Sequence, residues 1–245
     1  MHPFEKKRIS RIPKIPLLLK NLSRVSFCSL EKRDVLPEVE CLFPLLKESF
    51  VQTLSKQEVQ DRKLRIGVLF SGGPAPGGHN VIAGLISSFP DLTLIGFLGG
   101  ALGLLEEKYE VLDQKIIFSQ YLNTGGFDLL GSGRTKIETQ EQLEKACQVV
   151  VTLNLDGLVI IGGDDSNTNA AVLSQRFLEK KIKTIVVGVP KTIDGDQRHT
   201  LNFKFNFENE LQLYEGVGLV ANNVARLRTE LVGCEHRRPL ANKLH

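Results

Sequence analysis

Between residues 64 and 196 short apolar runs end one after another in glycine-rich loops, and several of these loops lead into segments with helical spacing. This rhythm restricts the fold more than any other feature. A strand that is apolar on both faces belongs inside a parallel sheet with helices above and below it. Arg65–Phe70 (RIGVLF) is the first such run, and it stops at Ser71-Gly72-Gly73. A helix follows from about Gly78, with Val81, Ile82, Leu85, Ile86 and Phe89 on one side. Thr93–Phe97 is a second strand, and residues 138–153 form a helix lined by Leu143, Ala146, Val150 and Leu153. Residues 157–161 are a strand that turns at Gly162-Gly163 into a helix over about 166–180. Residues 184–189 are a further strand, cut off by Pro190. Ligands of such sheets gather beyond the carboxyl ends of the strands. The chemically unusual loops of this chain lie there.

The flanks differ. Residues 1–63 are polar and basic, with a short helix expected over 39–54, and residues 197–245 lose the strand–helix rhythm. The basic excess sits in the first 33 residues, where Glu5 and Glu31 are the only acids. This arm reads as a non-cleaved segment lying on an acidic surface. A transit peptide is the competing reading, against which Pro13 and Pro16 interrupt any amphipathic helix. A formal net charge of +3 is too small to draw in nucleic acid, and no apolar run is long enough to cross a bilayer. Cys28, Cys41, Cys147 and Cys234 have neither zinc-ligand nor redox-motif spacing, which points to reduced thiols in a cytoplasm.

Four loops carry candidate chemistry. In the first, Ser71-Gly72-Gly73-Pro74-Ala75-Pro76-Gly77-Gly78-His79-Asn80, glycines let backbone approach a ligand, and the following helix offers unpaired N–H groups to an anion. It lacks the lysine and hydroxyl of the common nucleotide P-loop, and a tight strand-to-helix turn explains it equally well. The second, Gly131-Ser132-Gly133-Arg134, sets an arginine fork beside flexible backbone, which suits phosphate, although a solvent-facing arginine has the same sequence. The third runs from Gly162-Gly163 through Asp164-Asp165-Ser166-Asn167-Thr168-Asn169. Two adjacent carboxylates after a buried strand invite a magnesium ion that is itself bound to phosphate, or else they serve the helix start. The fourth, Pro190-Lys191-Thr192-Ile193-Asp194-Gly195-Asp196, brings a lysine, a hydroxyl and two carboxylates together just past a strand. A lysine can balance phosphate charge and an aspartate can accept a hydroxyl proton. A polar turn is the plain alternative.

In order, SGGPAPGGHN, GSGR, GGDDSNTNAA and PKTIDGD resemble the phosphofructokinase superfamily, and specifically its pyrophosphate-using branch. The resemblance runs from about residue 64 to 196 and implies an α/β fold, a Rossmann-like three-layer lobe with a parallel sheet. On this division residues 1–63 are an N-terminal extension, and 197–245 are an unmatched tail for which truncation or a frame shift is the preferred explanation. The resemblance implies magnesium-dependent transfer of a phosphoryl group from pyrophosphate to the 1-hydroxyl of fructose 6-phosphate, in the cytoplasm, by a chain that forms homo- or hetero-oligomers at full length. It involves neither nucleic acid nor a membrane. Position by position, Gly73 would contact pyrophosphate, Arg134 would clamp a phosphoryl oxygen and Asp164 would serve magnesium. Asp194 would be the general base, with Thr192 contacting substrate and Asp196 supporting the charge arrangement. ATP-using relatives have glycine where Asp165 and Lys191 stand. Asp165 would repel the nucleotide's additional phosphate, since two unit charges about 4 Å apart interact by roughly 4 kcal/mol at an effective dielectric near 20. Lys191 would favour the leaving phosphate. Two other readings remain open: a non-catalytic subunit or inactive fragment of that family, and an ATP-dependent sugar kinase.

Overall fold

The computed structural model describes residues 25–28, 37–46, 53–56, 63–74, 77–89, 91–121 and 126–191. The basic residues before Val25 and the tail over 197–245 lie outside them.

In the N-terminal extension, strand β1 (Val25–Cys28) pairs antiparallel with β2 (Thr53–Lys56), and helix α1 (Pro37–Leu42) lies between them in the chain. The helix expected over 39–54 is therefore much shorter. Pro44 cannot extend a helix and disfavours helical backbone just before it, so α1 stops at Leu42. Thr53 and Leu54 belong to a strand instead. Beyond α1 the chain is tied to the main lobe by the Leu45 N–H, which donates to Gln175 Oε1 at 3.1 Å.

The main lobe runs through β3 (Arg65–Phe70), α2 (Gly78–Ser88), β4 (Thr93–Phe97), α3 (Ala101–Leu105), β5 (Tyr109–Val111) and α4 (Gln114–Ile116). It continues, after a π-helical turn at Ile117–Tyr121, through α5 (Gln140–Thr152), β6 (Gly157–Gly162), α6 (Asp164–Glu179) and β7 (Ile185–Pro190). The sheet order is β5-β4-β3-β6-β7. β4, β3, β6 and β7 are parallel, whereas β5 runs antiparallel against β4, so the expected parallel sheet is mixed at one edge. Pro190 does not cut β7 short. It pairs with Gly162 as the last residue of an outer strand, a position that tolerates the missing N–H.

Each face of the sheet has its own core. On one, Val68 and Phe70 of β3, Leu94 of β4 and Ile161 of β6 pack with Val81, Ile82 and Ile86 of α2. On the other, Leu69, Phe97, Leu158 and Ile160 pack with Leu143, Ala146 and Val150 of α5 and with Leu173 and Phe177 of α6. Strand residues alternate between the two clusters, as the period of two requires. Burying each such side chain contributes about 1.5–3 kcal/mol. The result is a three-layer α/β lobe.

Two helix starts have local causes. α5 begins at Gln140 because Thr139 and Gln142 form a reciprocal capping box, the Gln142 N–H donating to Thr139 Oγ1 at 3.2 Å and Gln142 Oε1 accepting from Thr139 N at 3.0 Å. α6 begins at Asp164, two residues before the expected start, with Gly163 as its N-cap. From β3 the chain passes through α2 to β4 on one side, and later through α5 to β6 on the other. The winding direction thus reverses between β3 and β6. Crevices at such switch points hold ligands beyond the carboxyl ends of the strands. Among the described residues no helix is long and apolar enough to cross a membrane.

Candidate active site

The crevice begins where β3 ends. Ser71 N donates to the Ile161 carbonyl of β6 at 2.8 Å, and Gly72 N donates to the Gly133 carbonyl at 2.8 Å. The first and second glycine loops are therefore joined through backbone directly at the strand ends. Gly72 has φ +83°, in the left-handed region that favours glycine. A second close approach lies below it, where a Cβ on Gly100 would meet the Phe70 carbonyl oxygen at 2.7 Å and Gly133 N at 2.9 Å. Loop 131–137 can pass beside β3 only because no side chain stands there.

Lys191, the first residue after β7, crosses to the opposite wall. Its N–H donates to the Gly162 carbonyl at 2.8 Å, and its Nζ donates to the Gly73 carbonyl at 2.5 Å. The ammonium also lies 5.4 Å from the centroid of the Phe127 ring, which stacks on Phe70. The residue is only 7% exposed. A buried cation is costly unless it is compensated, and an ammonium held beside a glycine-loop carbonyl and a ring face is well placed to meet an anion. Gly73 and Lys191, expected from the sequence to share a site, are joined by a direct bond.

Arg134 is exposed on loop 131–137, and its Nη2 lies beside Gly73, 3.8 Å from where a Cβ on that glycine would stand. The third loop is not a loop at its carboxylates. Asp164 and Asp165 occupy the first turn of α6, both exposed, at the positive end of the helix. This corrects the idea that they crowd against a buried strand and need a metal to offset their charge. Helix and solvent already accommodate them. Asp165, 70% exposed, forms an ion pair with Lys136 Nζ at 3.1 Å. The hydrogen bond to Asp165 and then its charge hold the Lys136 ammonium above the ordinary lysine range. Ser166 Oγ donates to Ser71 Oγ at 2.9 Å inside the protein, fastening α6 to the first loop. His79 of the first loop turns away from the crevice, and its Nε2 accepts the N–H groups of Asp128 and Leu129 at 3.2 and 3.0 Å.

The structure thus gathers Gly73, Arg134 and Lys191 directly, with Asp164 and Asp165 on the helix that borders them. Thr192, Asp194 and Asp196 lie outside the described residues. Sequence reasoning missed Lys136, Ser71 and Ser166 as members of this cleft. A second cation two residues after Arg134 was the available signal for Lys136. The serine pair, 95 residues apart, left none. Among the described residues no group of three or more His, Cys, Asp and Glu side chains forms a self-sufficient metal cage.

Two glycine loops, two helix N-termini and a buried ammonium around one switch point place this lobe among α/β proteins that hold phosphorylated ligands. The family model for phosphofructokinase matches residues 65–202, more than half of the chain, and the protein belongs to that family. The chain is 45% identical over 186 residues to subunit beta 2 of a pyrophosphate–fructose 6-phosphate 1-phosphotransferase from Arabidopsis thaliana, covering 72% of this chain and 32% of that one. It is 47% identical over 176 residues to the enzyme of the same name from Treponema pallidum, covering 69% and 30%. A subunit alpha from Solanum tuberosum is 48% identical over 141 residues, covering 56% and 23%. The chain spans about a third or less of the length of these curated relatives. The fold resembles the phosphofructokinase structure from Saccharomyces cerevisiae, with a TM-score of 0.51, 20% identity, and coverage of 58% of this chain and 19% of that chain.

Proposed function

We propose that this chain carries the phosphoryl-donor side of a pyrophosphate-dependent phosphofructokinase, which transfers phosphate from pyrophosphate to the 1-hydroxyl of fructose 6-phosphate. The observation that carries the reading is Lys191, whose ammonium is buried at the switch point and bonded to the Gly73 carbonyl. A compact two-phosphoryl donor lying on the first loop would meet this ammonium, the Arg134 fork and the N–H groups at the start of α2. Positioning and charge stabilisation are most of what a protein contributes to phosphoryl transfer. Asp194 is proposed as the base that takes the sugar hydroxyl proton, with Thr192 and Asp196 beside it.

Magnesium fits the donor set, because this ion is commonly held by one or two carboxylates plus phosphate oxygens rather than by an all-protein cage. Asp164 is the proposed carboxylate, and the ion would supply charge neutralisation on the donor phosphates when bound. Asp165, one residue further along α6, is proposed to exclude ATP. The relatives' alpha and beta subunit names support assembly into a homo- or hetero-oligomer. Free thiols at Cys41 and Cys147 suit a cytoplasmic setting.

A second reading has one observation in its favour. The chain spans about a third of its curated relatives, so a donor-binding but non-catalytic subunit also fits. Titration calorimetry of the full chain with magnesium pyrophosphate and with magnesium ATP, followed by an assay for fructose 1,6-bisphosphate, separates the cases. Pyrophosphate is expected to bind at least about tenfold more tightly than ATP, as one avoided like-charge contact allows. Preference for ATP would overturn the donor assignment. Tight pyrophosphate binding without turnover would select the second reading.

A further inference from the structure

Asn169 stands on α6 one turn beyond Asp165, so the two side chains leave the same face of the helix. Its amide grips a single peptide unit of the arginine loop from both sides. The Ile137 N–H donates to Asn169 Oδ1 at 2.9 Å, and Asn169 Nδ2 donates to the Ile137 carbonyl at 3.3 Å. One turn nearer the crevice, Lys136 is paired with Asp165. Residues 134–138 form no helix or strand, and the Ile137 side chain is 2% exposed. Buried backbone groups outside regular structure need partners, and a side-chain amide can donate and accept at once. At its other end the loop is fixed by the bond from Gly72 N to the Gly133 carbonyl. Arg134 therefore opens a short span pinned at Gly133 and again at Ile137.

We infer that Asn169 is a positioning residue for Arg134. It holds the far end of the arginine loop so that the guanidinium stays beside Gly73, with the Lys136–Asp165 pair as the nearer, exposed half of the same clamp. Asn169 touches no donor itself and works only through the loop. The inference rests on the reading of Arg134 as a donor ligand.

Two measurements on the full chain test it. The first is hydrogen–deuterium exchange of peptides spanning residues 131–137. Asn169→Ala is expected to speed exchange there by about tenfold, as loss of a protecting hydrogen bond implies, and unchanged exchange would overturn the clamp. The second is calorimetry with magnesium pyrophosphate across the double-mutant cycle of Asn169→Ala and Arg134→Ala. Asn169→Ala alone is expected to weaken binding by about tenfold and to add nothing when Arg134 is already alanine. An equal loss in both backgrounds overturns the positioning role. If Arg134→Ala leaves affinity unchanged, the donor role of Arg134 fails and the positioning role fails with it, whatever the exchange result. If the parent chain takes up no magnesium pyrophosphate, the proposed function is refuted for this polypeptide, and the exchange experiment alone decides the clamp. Lys136→Gln changes only an exposed pair and leaves the core intact. Its smaller loss is also expected to vanish in the Arg134→Ala background, and persistence there would overturn its share in the clamp.

Discussion

Replacing Lys191 with methionine keeps the length and apolar stem of the side chain and removes the ammonium. The fold then loses the 2.5 Å bond to Gly73 and the 5.4 Å approach to Phe127. A hydrogen bond to a charged group contributes about 1.5–3 kcal/mol. Holding an ammonium at 7% exposure costs a desolvation penalty of similar order, so an apolar isostere is expected to change stability by about 1 kcal/mol or less. For a lobe of this size that is a shift of roughly 2–4 °C in Tm. The donor would lose more. A unit charge about 4 Å from a phosphoryl oxygen, at an effective dielectric near 20, contributes roughly 4 kcal/mol. With partial screening by magnesium on the same phosphates, the expected loss is about 100- to 1,000-fold in the dissociation constant for magnesium pyrophosphate. Calorimetry and a thermal melt on one sample measure both effects. A melt lowered by more than about 10 °C with affinity within a few-fold of the parent would refute the reasoning, because Lys191 would then be a strut of the fold and not a donor ligand.

Other changes test neighbouring parts of the lobe. Asp165→Gly removes a carboxylate from the first turn of α6 and is expected to raise ATP affinity by about tenfold or more; competition against a fluorescent nucleotide reads this, and no rise would end the exclusion argument. Ser166→Ala leaves the buried Ser71 hydroxyl without its 2.9 Å donor and is expected to cost about 1–2 kcal/mol in urea unfolding, whereas a change within error would show that water replaces the bond. The Glu144 carboxyl is held below its ordinary value of 4.5 by hydrogen bonds from Lys180 and then Arg176. Its folded pKa is thus depressed, so its stabilisation is present above pH 4.5 and lost as pH falls through the lowered value. Any midpoint gap between the parent and Glu144→Gln at pH 7 should therefore close in acid, and a gap that persists at low pH would assign the effect to packing.

The parts of this fold that could be read in advance share one property: the information sits within a few adjacent residues. β3 and β4 have the expected bounds because RIGVLF and TLIGF are apolar on both faces and end in punctuation. β5 escaped because Tyr109–Val111 is short and exposed, and only its pairing with β4 makes it a strand. The displaced start of α6 has a local cause, since Gly163 can cap and acidic residues suit a first turn, yet a run of small polar residues also reads as a loop. Gly73, Arg134 and Lys191 were legible as separate loop residues. Their convergence follows from the reversal of winding between β3 and β6. What nothing local encoded was the set of cross-loop bonds, Lys136 to Asp165, Ser166 to Ser71 and Asn169 to Ile137, which join segments distant in the chain.

The bond between Lys191 and Gly73 joins residues 118 positions apart. During synthesis at about 5–20 residues per second, the first glycine loop emerges from the ribosome roughly 6–24 s before the lysine that will lean against it. Through that interval the loop can adopt its turn but has no cation at its rim. Closing so large a loop costs entropy that local contacts cannot return, which places this contact among the later steps of folding. A nascent chain of this sequence therefore acquires its strands before it acquires its grip on an anion.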